Sequence, residues 1–218
     1  MLLLRLKPFQ VIVIRLFAMT LAQMEPEMTS TNNKYRVDMR STLKHKELND
    51  DKISFCLAQS QDEDLIKSWF DKPHVKNHWD NSSDLLENLH GYLQGTKDIF
   101  DYWLGFYDMQ PYALIMTSDA NDSTPEHLVP WVKPEEITWT IDFMIGQEDF
   151  LGLGLSSMTL ARFINTTKQV NTWIIDPSES NHKAISAYKK AGFQIVDSFA
   201  PSTGYFKDVP HYLMILKN

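Results

Sequence analysis

Cysteine is nearly missing: Cys56 is the only one in 218 residues. No internal disulfide can form, and there is no Cys-x-x-Cys pair to hold a metal or exchange thiols. His-Glu-x-x-His is absent as well, so no metal site is expected. Cys56 lies in the apolar run "ISFCLA", which predicts a buried, inert thiol rather than a nucleophile. Positive charge is also short. Lys and Arg number 21 against 28 Asp and Glu, for a net charge of −7. That balance disfavours a nucleic-acid partner and favours a cationic ligand. Long apolar runs are lacking too. The N-terminal "MLLLRLKPFQVIVIRLFAMTLAQ" is broken by Arg5, Lys7 and Arg15, so it predicts no stable membrane insertion. Those three cations give residues 1–20 a charge of +3 and leave −10 on the remainder.

What is present fits one globular domain with an extension. Hydrophobic residues make up 43% of the chain, an ordinary globular share, whereas six Trp make it unusually aromatic. The division expected is an extension at 1–50 and a domain at 51–218. The extension reads as a mobile stretch or partly as an unused upstream start, with Met19, Met24 or Met28 as alternatives. Its polar part, Glu25 to Asp51, has linker composition.

The domain alternates its periodicity. "KISFCLAQ" (52–59) predicts a strand. A helix over 60–72 follows, opened by a Ser60–Glu63 capping box, with Leu65, Ile66, Trp69 and Phe70 on one face. "PHVKNHWDN" breaks it. A second helix over 82–95 has Ser82 or Ser83 as cap and Leu85, Leu86, Leu89 and Leu93 inward. Two aromatic runs around "MQ" predict a hairpin, and 120–136 is a long loop. Beyond it come strand 137–146, helix 151–168, strand 170–176, helix 180–191 and strands 193–199 and 211–217. This order is that of an α/β mixed sheet in one domain.

Two stretches carry the chemistry. "LGLGLSS" follows a strand and opens a helix, where unpaired N–H groups and glycines suit a phosphate. By itself such a turn is equally well a plain tight turn. "IDPSESNHKAISAYKKAGF" runs from strand through Asp176-Pro177-Ser178 into a helix, with Ser178 or Ser180 as the cap. Together, "TIDFMIG" through "KKAGF" resembles the GNAT superfamily of N-acetyltransferases, with Asn181, Ala184, Tyr188, Gly192 and Phe193 in the family spacing. "DLIKSWFDKPHVKNHW" and "MQPYALIM" narrow the resemblance to the branch of aminoglycoside 6'-N-acetyltransferases and siderophore lysine acyltransferases. The turn departs from the family pattern: Asp149 stands at the usual Arg/Gln place, Leu153 at the Lys place and Ser156 at a later Gly place.

The resemblance implies a mostly antiparallel sheet flanked by helices, with a splayed central strand pair forming a coenzyme A cleft. It implies acetyl-coenzyme A as co-substrate and a cytoplasmic monomer or homodimer that acetylates a small cationic amine. An aminoglycoside 6'-amine, with a role in antibiotic resistance, is the first expectation. A siderophore hydroxylysine or a non-catalytic binding module are the alternatives. The implied cofactor contacts are Phe143, Met144 and Ile145 at the splayed strand, then Gly152, Leu153, Gly154, Leu155 and Ser156, then Asn181, Ala184 and Tyr188. Tyr188 is the implied proton donor to the leaving thiolate. Asp142 is the implied catalytic carboxylate, the preferred reading; the alternative is a strand-edge residue bonded to a neighbouring loop. Asp142, Asp176, Trp79 and Glu136 are the substrate contacts expected. A siderophore-type acceptor carries a carboxylate and predicts a pocket cation, for which Lys72, Lys76 and Lys133 are available.

Overall fold

A computed structural model describes residues 47–122 and 125–218. The expectations for the N-terminal extension fall mainly on residues 1–46, outside the described residues. Residues 47–50 already belong to the fold. Leu48 packs against the core, and the Asn49 N–H donates to the Tyr107 hydroxyl at 3.3 Å.

Seven strands form one sheet: β1 (Ile53–Leu57), β2 (Asp101–Tyr107), β3 (Gln110–Asp119), β4 (Thr138–Ile145), β5 (Thr172–Ile175), β6 (Gln194–Phe199) and β7 (His211–Lys217). Their spatial order is β1-β2-β3-β4-β5-β7-β6. Every neighbouring pair is antiparallel except β4–β5. Among the described residues five α-helices accompany them: α1 (Glu63–Phe70), α2 (Pro73–Lys76), α3 (Ser83–Leu93), α4 (Leu155–Thr166) and α5 (His182–Ala191). None is long and apolar enough to cross a membrane, among the described residues.

Local chemistry sets the boundaries, often a residue from where spacing predicts. A 3-10 turn, Ser60–Asp62, leads into α1 and carries the reciprocal cap one residue early: the Gln59 N–H donates to the Asp62 carboxylate at 2.8 Å. Glu63 is thereby freed to pair with Lys67 at 2.6 Å and His90 at 3.0 Å. Ser82 caps α3, accepting from the Leu85 N–H. On α3, Leu85 and Leu89 are buried, but Leu86 is exposed, against expectation. The hairpin turn is Asp108–Met109, both left-handed at φ 50° and 65°, the twist-matched two-residue turn. Cys56 is exposed on edge strand β1, not buried as its apolar context suggested. Edge strands alternate, and Ile53 is the inward residue.

The two faces of the sheet carry separate cores. Ile141, Phe143 and Ile145 of β4 join Phe163 of α4 and Ile185 and Tyr188 of α5. Met144 joins Leu114 and Met116 of β3, Ile66, Trp69 and Phe70 of α1, and Leu85 and Leu89 of α3. A smaller cluster of Leu128, Ile174, Leu213 and Ile215 continues the second face under the 126–131 segment. Each buried large apolar side chain contributes about 1.5–3 kcal/mol. A one-residue slip of β4 would trade Phe143 for Asp142 in the core, so the register is firmly set.

Gly146, just past β4, lets α1 close on the sheet. A Cβ there would lie 2.0 Å from Trp69 Cδ2, and Trp69 is buried. Gly146→Ala is therefore expected to cost about 1–3 kcal/mol through overpacking. Urea denaturation measures this; a loss under about 0.5 kcal/mol would contradict the packing described.

Candidate active site

Strands β4 and β5 run side by side only at their beginnings. Thr138, Trp139 and Thr140 pair with Thr172, Trp173 and Ile174, and pairing stops there. Beyond this point β4 stays on β3 and β5 stays on β7. A wedge therefore opens towards the C-terminal ends of both strands.

The ladder alternation decides which backbone groups face the wedge. The Thr138 carbonyl accepts from Ala120, and the Gly146 N–H donates to Tyr112, so even-numbered β4 residues bond to β3. The odd-numbered residues turn away. The Ile137 carbonyl accordingly accepts from Asn171 and Thr172 on the β5 side. Phe143 and Ile145 thus present their N–H groups to the wedge. Met144 does not: its N–H lies in the β3 ladder and its side chain in the second core, which corrects its expected cofactor contact.

Side-chain parity places the carboxylates. Asp142 and Asp176 each lie two residues past the last paired position, Thr140–Ile174, and share one sheet face. Both are part-buried. Burial pushes the Asp142 carboxyl above its usual range. Burial, then the charge of Asp142, pushes Asp176 up as well. The pair titrates as a unit, and near neutral pH it tends to keep a proton. Tyr188 approaches from the opposite face, 6% exposed. Burial first, then the charges of Asp142 and Asp176, raise its phenol and hold it protonated.

Behind the wedge lies the glycine turn. Gly152 and Gly154 have φ of 75° and 83°, and nothing lies within 4 Å of a Cβ built on either. Conformation rather than crowding calls for glycine here. Gly154 precedes α4, whose first turn has no side-chain cap, so its N–H groups stay available. Leu155 is fully buried, leaving only its backbone for a ligand. Leu153 packs on the core, Ser156 is part-buried and Asp149 is exposed. The open β4 edge and uncapped helix are the donors a thioester and a pyrophosphate need, so the residues present fit coenzyme A.

The other expected residues divide. Asn181, rather than Ser178 or Ser180, caps α5: its Oδ1 accepts from the Ala184 N–H at 3.2 Å, leaving the amide NH2 to donate. Trp79 stacks on Phe70 with ring centroids 6.2 Å apart, beside the cluster that holds Met144. His78 is exposed. Glu136 is misplaced by the sequence reading. It lies two residues before β4, held by Lys133 at 2.9 Å, at the end where β4 and β5 pair, and Asp142 lies past the point where they part. One residue was missed. His74 Nε2 reaches the Ile145 carbonyl at 2.8 Å, on the open edge, and no spacing in "PHVKNHW" signals it. No group of three His, Cys, Asp or Glu able to hold a metal occurs among the described residues.

Solved structures share this fold. An aminoglycoside N(6')-acetyltransferase from Legionella pneumophila superposes with a TM-score of 0.66 at 26% identity, over 79% of this chain and 94% of that one. AAC(6')-Ib with paromomycin and acetyl-CoA gives 0.65 at 20% identity, over 77% and 94%. AAC(6')-Ib with coenzyme A and kanamycin gives 0.63 at 20%, over 76% and 95%. At 20% identity the likeness is one of fold. The family profile described as acetyltransferase (GNAT) domain matches residues 58–200, which take in the wedge, the glycine turn and α5. With its parallel pair splayed beside that turn, this chain belongs to the GNAT family of acetyltransferases.

Proposed function

We propose that the protein transfers acetyl from acetyl-coenzyme A to a primary amine of a polycationic acceptor, with an aminoglycoside 6'-amine as the substrate. The observation that carries this reading is the Asp142–Asp176 pair on one face of the wedge. Two part-buried carboxylates near enough for one charge to act on the other favour a ligand that brings more than one positive charge. Neighbouring structures solved with paromomycin and kanamycin support the same acceptor class.

When bound, acetyl-coenzyme A supplies the thioester carbonyl. The Phe143 N–H is placed to donate to the oxygen as it gains charge. Asp142 orients the ammonium and takes its proton, so the neutral nitrogen attacks. The C–N bond forms, the C–S bond breaks, the Tyr188 hydroxyl gives its proton to the departing sulfur, and the nitrogen sheds its second proton, which restores the Tyr188 phenol. No covalent enzyme intermediate is required. Of the three cations available to a siderophore-type acceptor, Lys76 is paired with Asp71 and Lys133 with Glu136, which leaves Lys72 as its candidate.

Thiol release by the full chain with acetyl-coenzyme A tests the reading against kanamycin, tobramycin, N6-hydroxylysine and a peptide amine. Turnover is expected with the aminoglycosides. Release with hydroxylysine or peptide alone would move the substrate elsewhere, and no release at all would remove the reaction. Asp142→Asn is expected to lower kcat/KM for the acceptor by about 10²–10⁴-fold, and Tyr188→Phe to lower kcat by about 10- to 100-fold. Unchanged rates in both would refute these roles.

The carboxylate pair also predicts a stability profile. Both groups have native pKa values above their unfolded ones, so the native state holds the extra proton. Their contribution to stability is then fully present at about pH 4 and below and is lost as pH rises through the raised values. Asp176→Asn removes that penalty. The variant should match the parent near pH 4 and exceed it by about 1 kcal/mol or more at pH 8. Equal differences at both pH values in urea titrations would contradict the coupling.

A further inference from the structure

The open edge of β4 exposes carbonyls as well as N–H groups. Past Thr140, β5 no longer accompanies it, so Ile145 has no strand partner on that side. The chain beyond does not help, because Gly146 and Gln147 both donate to the Tyr112 carbonyl on the β3 side. The partner comes from outside the sheet. His74 Nε2 lies 2.8 Å from the Ile145 carbonyl oxygen. A carbonyl only accepts, so Nε2 carries the hydrogen and donates it.

The other ring nitrogen faces a second part of the site. His74 Nδ1 is buried without a hydrogen-bond partner, and Glu148 Oε1 stands 3.6 Å from it. Glu148 opens the short turn Glu148–Phe150, which leads into Gly152 and Gly154. One imidazole therefore touches the free strand edge and faces the approach to the glycine turn. Its carrier is firmly seated. Pro73 fixes the start of α2, and Val75 is 3% exposed in the second core.

We propose that His74 is a positioning residue for acetyl transfer, pinning the Ile145 carbonyl so that the neighbouring Phe143 N–H keeps its direction into the wedge. This rests on the transfer reading above. His74 touches neither substrate nor thioester in this account; it acts through the β4 backbone. Without the pin, the Ile145–Gly146 peptide keeps only its β3-side bond, from the Gly146 N–H to the Tyr112 carbonyl, and the donor two residues earlier holds its aim less tightly. Small misplacements of this kind have large effects on rate, because donors act on charge that develops only in the transition state.

The test compares three variants of the full chain, with kcat and KM measured for acetyl-coenzyme A and kanamycin. His74→Gln places an amide N–H near the position of Nε2 and should retain most of kcat. His74→Asn is too short to reach Ile145, and His74→Leu has no donor. Both should lose about 10-fold or more in kcat, with KM for kanamycin changed less than about twofold. Backbone amide exchange at residues 143–146 supplies a readout independent of turnover. It should quicken in the Asn and Leu variants and stay near parental in the Gln variant. Equal losses in all three variants, or full activity in His74→Leu, would overturn the assignment, as would unchanged exchange in His74→Leu. A parent that releases no thiol with any acceptor removes the transfer reading itself, and with it the role of His74. Should the Leu variant fail to fold, the Gln and Asn comparison still decides.

Discussion

The structure depends on a pairing that stops. β4 and β5 hold each other for three residues, to Thr140 and Ile174, and then part. A parallel pair normally satisfies both edges, and unpaired backbone groups inside a protein are costly. Here the fold leaves the odd-numbered groups of β4 facing a wedge. Just past the parting, Asp142 and Asp176 occupy matching positions on one face, within reach of each other's charge. The parting also lets Tyr188 approach from the other face, where both charges reach its phenol. Donor edge, carboxylate pair and phenol are thus consequences of one missing ladder.

The surroundings tolerate this because they are stiff. Trp69 lies flat against Gly146, so the end of β4 cannot drift towards α1. Phe143 and Ile145 are buried against α4 and α5, and Met144 against α1 and α3. Moving β4 in either direction would expose side chains worth about 1.5–3 kcal/mol each. Against that background the fold tolerates the raised pKa values of two carboxyls. The surplus of −10 beyond residue 20 adds long-range attraction for the same kind of ligand.

Much of this was legible in the chain because it is local. The aromatic runs around Asp108–Met109, the glycines before α4 and the apolar stripes of α1 and α3 each announce themselves within a dozen residues. The Asn181–Tyr188–Phe193 spacing carried the family. The failures were failures of distance. Asp142 and Asp176 lie 34 positions apart in sequence, and only the parallel register makes them neighbours. Glu136 looked close to Asp142 in the chain, but an extended strand carries the two far apart. His74 bonds across 71 positions to a carbonyl, a partner with no side-chain signature to read. Cys56 misled because an apolar run on an edge strand still turns alternate residues outward.

The central claim is that Asp142 and Asp176 hold a proton until a multiply charged amine displaces it. Calorimetric titration of kanamycin into the protein with coenzyme A, in buffers of different ionisation enthalpy, measures that proton directly. Near neutral pH the account predicts net proton release in the parent and a smaller release in a variant carrying Asp142→Asn and Asp176→Asn. Binding with no buffer dependence, or with equal release in both proteins, would contradict it.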